Sequence, residues 1–580
     1  MLRFIRAVTR RRRPAGRSVV RLAVVCLLGG EGILGLAHVA LLPPWEGFDE
    51  EAHYSSLQQV ADAHEVPRLG RARLSEDVWS YGQSAPVRYR NEPGGDQPGR
   101  YSYRSFFEAS PGVVAQGRSA VHGRPFAARH YTASPRVNWE AQHPPLYYAV
   151  LSPVYALTRG LSWGAQLFVL RAVTYLFAWL ALVVGVYACA TAIPTLRGGA
   201  LHHDWLMLGV ASWPLVFPGW FPEMARLGND SLCALIVAAV WWSTVRALGH
   251  GPTFRYAWCL GLLLGLGWLT KAFFIPVSLG LGAFWCMREF WLGGACALAR
   301  LSLRLLVTAA LIGAIAGWWY IGNWREYGVV VGSIDILHLN EAGGLASGLE
   351  QRFTVGALVR FAASFATRLA WPSTWSLARP PYIYLVPMAL AVLLAAAAYL
   401  SALRRFRPTG LEWLPLWLTA PVVAGFVYHM LVLIALTGKG SGFGGYYLHL
   451  LAVPLGTALG LGAGVWWRRS IARLLGAAFV LYSAAFAVAI SWAQVLLFAG
   501  ILGKSESKFY QMPLKLPPLL GIPEALARMT VLAYPVIGVV AWLVGATLLL
   551  VGTVAAWKIA RGLTSIGPDA ARRTTCFSPD

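Results

Sequence analysis

A succession of apolar runs, each near the length that crosses a bilayer, constrains this chain more than any other feature. A helix needs about 20 residues to cross the hydrocarbon. The first run extends from about Val19 to Leu42, behind the basic N-terminus MLRFIRAVTRRRRPAGR. It is too long for a signal-peptide core, and many further runs follow it. Spans are predicted at about 165–193, 204–222, 230–247, 255–270, 272–287, 302–321, 382–402, 412–436, 446–467, 472–500 and 528–557. With the first run that makes about twelve. Segments 144–158 and 356–371 read as partly embedded surface helices.

Composition agrees. Hydrophobic residues make up 57% of the 580 and charged residues 13%, about half the share of a soluble domain. The fold class is therefore an all-α polytopic membrane bundle. A net charge of +23 invites a nucleic-acid reading. That reading fails because the charge lies in short blocks between apolar runs, so no nucleic-acid partner is expected. The seven cysteines suggest neither a disulfide framework nor a paired-Cys metal site.

The basic blocks set the orientation. Arg197, Arg246 and Arg255, Arg288 and Arg300, Arg404, Arg405 and Arg407, and Arg468, Arg469 and Arg473 fall on one side of the twelve-span arrangement. Lys558, Arg561, Arg572 and Arg573 join them, so both termini are expected in the cytoplasm. The opposite, outer side carries a long polar loop over 43–143, with twelve of the 26 acidic residues and eleven of the 49 Lys and Arg. A loop of that length needs a function or its own structure.

Chemistry concentrates where the first span ends. Pro43-Pro44 is followed by Trp45-Glu46-Gly47-Phe48-Asp49-Glu50-Glu51-Ala52-His53-Tyr54. Asp49 is placed either as the N-cap of a short helix or as a carboxylate base at the outer face. His53, four residues on, shares its helical face. Glu31, within the first span, is read as a structural acid that faces the bundle interior and finds a partner.

The opening Phe48–Tyr54 and a later Gln142-His143-Pro144-Pro145-Leu146-Tyr147-Tyr148 resemble the GT-C superfamily. These are polytopic glycosyltransferases that use polyprenyl-phosphate sugars, and the likeness is to the protein O-mannosyltransferase and aminoarabinose transferase groups. The resemblance continues through Arg226-Leu227-Gly228-Asn229-Asp230, Leu269-Thr270-Lys271 and Trp319–Gly328, so it covers roughly residues 1–330. That stretch, with the outer loop 43–143, is expected to be the catalytic module. Residues 331–580 are expected to supply a variable outer loop and the C-terminal helices that shape the lipid and acceptor site. Relatives often carry Gly-Arg-Tyr before a late span; here Gly444-Gly445-Tyr446-Tyr447 stands instead.

The resemblance implies an inverting transfer of sugar from a polyprenyl-phosphate carrier to a glycan, lipid or protein acceptor of the cell envelope. The reaction would occur at the outer face of a bacterial inner membrane, on a monomer among membrane lipids. Asp49 is the implied base, with Glu50 its rival and Asp230 a second acid that orients substrate or helps a divalent cation, Mg2+ or Mn2+. No cofactor is otherwise implied. A departing lipid phosphate needs cationic donors, and Arg226, Lys271, Arg325 and His143 are the outer-face candidates. His53, Tyr446 and Tyr447 are expected to line the substrate groove. An envelope-lipid transporter or flippase, a polymer ligase acting on lipid-diphosphate glycans and a non-enzymatic assembly subunit are the alternatives.

Overall fold

The computed structural model describes residues 14–86, 101–123, 130–191, 200–371, 374–376, 386–404, 406–439, 444–466, 469–502 and 521–564. Arg197, Arg405, Arg468, Arg572 and Arg573, used above for orientation, lie outside them.

Helix α1 (Pro14–Leu41) starts on a proline and stops just before Pro43-Pro44, where two residues without N–H groups cannot continue the ladder. The outer segment then forms α2 (Glu50–Gln58), strand β1 (Arg73–Ser75), α3 (Glu76–Ser84), α4 (Tyr103–Glu108), α5 (Pro111–His122) and strand β2 (Ala133–Val137). The strands pair antiparallel, with Arg73 opposite Val137 and Ser75 opposite Ala133. The chain re-enters the bundle through α6 (Leu146–Thr158), α7 (Trp163–Thr191), α8 (Ala200–Ala211), α9 (Trp213–Val216), α10 (Trp220–Ala225), α11 (Asp230–His250), α12 (Phe254–Trp268) and α13 (Phe274–Tyr327). Next come α14 (Ile334–Glu341), α15 (Leu345–Arg352), α16 (Val355–Ala370), α17 (Val386–Leu403), α18 (Leu414–Thr437), α19 (Ala452–Trp466), α20 (Ser470–Phe498), α21 (Ile522–Met529) and α22 (Pro535–Thr564).

Among the described residues nine helices are long and apolar enough to cross a membrane, or ten if the bent pair α15–α16 is one span. The protein is thus an all-α polytopic membrane bundle, and the expected count of twelve is not confirmed among the described residues. One reason is local. The run expected to span 204–222 is cut into α8, α9 and α10, because Pro214, Pro218 and Pro222 remove N–H donors at every fourth position.

Helix α13 contains two of the expected runs. Its 54 residues would stretch about 80 Å if straight, far beyond a bilayer. Instead it turns back at Gly294, whose φ of 61° and ψ of −154° only glycine adopts readily. At one end of α12, the Tyr256 hydroxyl accepts from Trp285 Nε1 (2.7 Å), and Thr308 Oγ1 donates to the Ala257 carbonyl (3.2 Å). At the other end, Trp268 Nε1 donates to Ser278 Oγ (3.0 Å), and its carbonyl accepts from Tyr320 (2.8 Å). The two legs of α13 therefore run antiparallel along α12, matching the runs expected at 272–287 and 302–321.

The first and last helices close the bundle. A Cβ on Gly30 would lie 2.9 Å from the Gly545 carbonyl, so the α1–α22 seam depends on small residues that let backbones approach. At its end, Tyr534 N donates to the Ala40 carbonyl (2.9 Å). Glu31 faces this interior and is fully buried, but its carboxyl oxygens have no hydrogen-bond partner among the described residues. The partner expected for it is not there.

Candidate active site

The α1–α2 junction is locked before it is functional. Glu50 is fully buried and faces Arg171 of α7. Its oxygens accept from Arg171 Nε (2.6 Å) and Nη2 (2.5 Å), and Oε1 also accepts from Leu227 N (2.9 Å). Arg171 spends its remaining donors on the carbonyls of Leu42 (2.5 Å) and Pro43 (2.8 Å). All three nitrogens of this guanidinium thus hold the α1–α2 junction. Four positions before Glu50, Glu46 is also fully buried. It accepts from Tyr103 (2.8 Å), Ser376 Oγ (2.7 Å) and Ser376 N (3.1 Å), which ties α4 and the 374–376 segment to the same junction.

Asp49 sits differently. Its backbone is left-handed, with φ 58°, and its side chain caps no helical N–H. The capping role considered from sequence is therefore not what this carboxylate does. Oδ1 instead accepts from Trp139 Nε1 (2.8 Å), and the residue stays partly exposed. Trp139 is delivered by a 3-10 turn, Trp139–Gln142, that Asn138 builds. Asn138 Oδ1 accepts from Glu140 N (3.0 Å), while its Nδ2 donates to the Ala52 carbonyl and Ser56 Oγ (both 3.0 Å).

The same turn carries Glu140, which is 7% exposed. Its Oε2 lies 2.7 Å from His143 Nε2 and 3.8 Å from His53 Nε2. His53 Nδ1 meets the Tyr148 hydroxyl at 2.9 Å. Burial pushes the His53 imidazole down to about 3, against the opposing pull of Glu140. For Glu140 burial acts upward, but His143, His53 and Lys271 together outweigh it and hold the carboxyl below its usual range.

Two cations complete the cluster. Arg226 is buried. It donates to Glu223, to the Phe48 carbonyl (2.9 Å) and to Asp230 Oδ2 (2.7 Å). Lys271, in the turn between α12 and α13, reaches Asp230 Oδ1 at 2.5 Å and Asn229 Oδ1 at 3.3 Å. Its ammonium also lies 4.6 Å from the Tyr447 ring centroid, a cation–π contact. Tyr446 stacks on Phe48 at 5.9 Å, and Trp375 meets Phe48 edge-on at 4.9 Å.

Nine of the ten residues singled out from sequence thus lie on one connected cluster: Asp49, Glu50, His53, His143, Arg226, Asp230, Lys271, Tyr446 and Tyr447. The tenth, Arg325, is exposed in the last turn of α13 and takes no part in the contacts that join the others. Arg171, Trp139, Glu140 and Glu46 are the members sequence reasoning passed over. Arg171 carried a signal, since a charge inside an apolar run demands a partner. Glu140 lies three residues before His143, in the segment already marked.

A divalent cation does not fit this arrangement. Among the described residues no group of three or more His, Cys, Asp or Glu is arranged to hold a metal. Both oxygens of Asp230 already face cationic side chains.

No family model matches the chain, and no curated protein matches it. Two solved structures show a loose likeness. The crystal structure of ArnT from Cupriavidus metallidurans bound to undecaprenyl phosphate is 17% identical, with 76% of this chain and 71% of that chain covered and a TM-score of 0.35. The apo structure of the same enzyme is 16% identical, with 87% and 75% covered and a TM-score of 0.36. Superposition this loose assigns neither an activity nor a residue role to the present chain.

Proposed function

We propose that this protein is an inverting, GT-C-type glycosyltransferase. It moves a sugar from a polyprenyl-phosphate carrier to a cell-envelope acceptor at the outer face of the membrane. The observation that carries the reading is the division of labour between adjacent acids. Glu50 is consumed by a buried ion pair, whereas Asp49 is partly exposed beside it and accepts a neutral N–H from Trp139. A base must reach its proton and keep its charge, and Asp49 meets that need better than Glu50.

Asp49 would take the proton of the acceptor hydroxyl as the anomeric bond to phosphate breaks. Lys271, with Arg226 behind it, would face the charge left on the lipid phosphate. Asp230 reads as the residue that positions these cations rather than as a second base or metal ligand. The order of the sequence motifs, which resembles the GT-C superfamily, supports the same assignment.

The test is single-turnover transfer from defined prenyl-phosphate sugars by purified protein. Asp49→Asn keeps shape and loses basicity, so transfer should fall by roughly 10²–10⁴-fold with donor binding retained. Near-normal transfer by this variant would reject Asp49 as the base. A flippase would instead move the carrier lipid across vesicles without consuming a sugar.

A further inference from the structure

Beside Asp49, the outer segment presents a ladder of alternating indole and guanidinium groups, of which only Trp139 touches the proposed base. The Arg136 guanidinium carbon lies 5.8 Å from the Trp79 ring centroid and 5.9 Å from that of Trp139. All three side chains are partly exposed. The last rung is the indole that donates to Asp49. We propose that Trp79, Arg136 and Trp139 form the docking surface for the acceptor, and that the acceptor is a carbohydrate chain. This rests on the transferase reading above.

The ladder is built, not incidental. Strand β2 carries Arg136, β1 runs into α3, and α3 carries Trp79. Glu76 N donates to the Thr132 carbonyl (2.8 Å) and Asn138 N to the Ala72 carbonyl (2.9 Å), fixing the ribbon at both ends. Arg73 Nη1 reaches the Pro135 carbonyl at 3.4 Å and adds a second guanidinium beside the ribbon.

The chemistry selects the occupant. A sugar ring offers an apolar C–H face and a rim of hydroxyls. Indoles supply broad apolar surface with a polar handle, and guanidinium N–H groups match hydroxyl oxygens in a fixed geometry. Sites for small polar ligands combine aromatic lining with a few placed donors in this way. The ladder lies on the polar segment between the first two spans rather than on an apolar run, which favours a saccharide over the tails of a lipid acceptor. Because Trp139 touches both the ladder and Asp49, a chain stacked here would deliver its terminal hydroxyl toward the proposed base.

The experiment uses the full-length protein in lipid nanodiscs, with two kinds of probe. Short, defined hexose, pentose and uronic-acid oligosaccharides report on the ladder, and decaprenyl phosphate reports on the donor side. At least one oligosaccharide class should bind. Trp79→Ala and Arg136→Ala should weaken that binding by about tenfold or more and leave decaprenyl phosphate affinity unchanged. Arg136→Lys, which keeps the charge but loses the planar fork, should weaken it too, and guards against misfolding of the alanine variants. Trp139→Phe keeps the ring and loses the bond to Asp49, so it should bind saccharide but transfer slowly. The proposal is overturned if no oligosaccharide binds the wild type, or if the ladder variants bind as well as wild type. Donor sugar passed to a lipid or peptide equally well by all variants would sink the ladder and leave the transferase standing. Ladder-dependent saccharide binding without donor turnover would do the reverse.

Discussion

Replacing Glu50 should damage folding before chemistry, and the buried pair with Arg171 sets the size of the effect. Glu50→Gln keeps the volume but strips the charge from a site where Arg171 is 2% exposed. The guanidinium then sits unpaired against the Leu42 and Pro43 carbonyls. Breaking a buried pair from one side costs about 3–5 kcal/mol, a large part of the roughly 5–15 kcal/mol that holds a folded protein together. Arg171→Met should cost a similar amount, because it strands the carboxylate. The double variant Glu50→Gln/Arg171→Met removes both charges and should recover about 0.5–3 kcal/mol relative to the sum of the singles. The assay is the fraction of purified protein that stays monodisperse after heating, read beside single-turnover transfer by the folded fraction. Asp49→Asn should heat like wild type. If Glu50→Gln were as heat-stable as wild type yet lost transfer, the clamp argument would be wrong and Glu50 would become the reactive acid.

Three further outcomes are expected. His53 is neutral in the fold down to about 3, while an unfolded histidine takes its proton near 6.5; stability should therefore be full above about pH 6.5 and decline toward pH 3 as the unfolded chain binds that proton. His53→Gln should flatten this decline in heating midpoints taken across the window, and parallel curves would count against it. Gly294→Ala meets nothing within 4 Å, so its cost should be backbone strain alone, about 1–3 kcal/mol, seen as a lower heating midpoint with unchanged transfer by the folded fraction. A cysteine at the exposed Ser110, in a background without other cysteines, should react with an impermeant reagent on intact cells; reaction only after the membrane is broken would reverse the orientation.

Much of the site was legible because its members cluster in order along the chain. Asp49, His53, His143, Asp230 and Lys271 all stand at the ends of apolar runs, where a polar side chain has few innocent uses. What the sequence left open was pairing. Asp49 and Glu50 differ by one position, and only the side chain that each meets, Trp139 or Arg171, separates a partly exposed acid from a clamped one. Those partners lie 90 and 121 residues away, beyond any local pattern. The span boundaries departed from expectation for a related reason. Apolar length does not reveal that prolines at every fourth position will cut 204–222.

The seam between α1 and α22 has a consequence for how the protein is made. Helix α1 emerges first, yet its partner around Gly545 is synthesised more than five hundred residues later. At roughly 5–20 residues per second, α1 spends on the order of half a minute or more in the bilayer without the helix it packs against. Over much of that time Glu46 also waits for Ser376. A ribosome that stalls past residue 330 would leave the proposed acids and the Lys271 cation in the membrane, without α22 or the segment that seats Glu46. Until α22 is made, the Gly29–Gly30 face of α1 therefore has no backbone to close on, although Gly32 and Gly35 can already seat Trp179 and Tyr175 of α7.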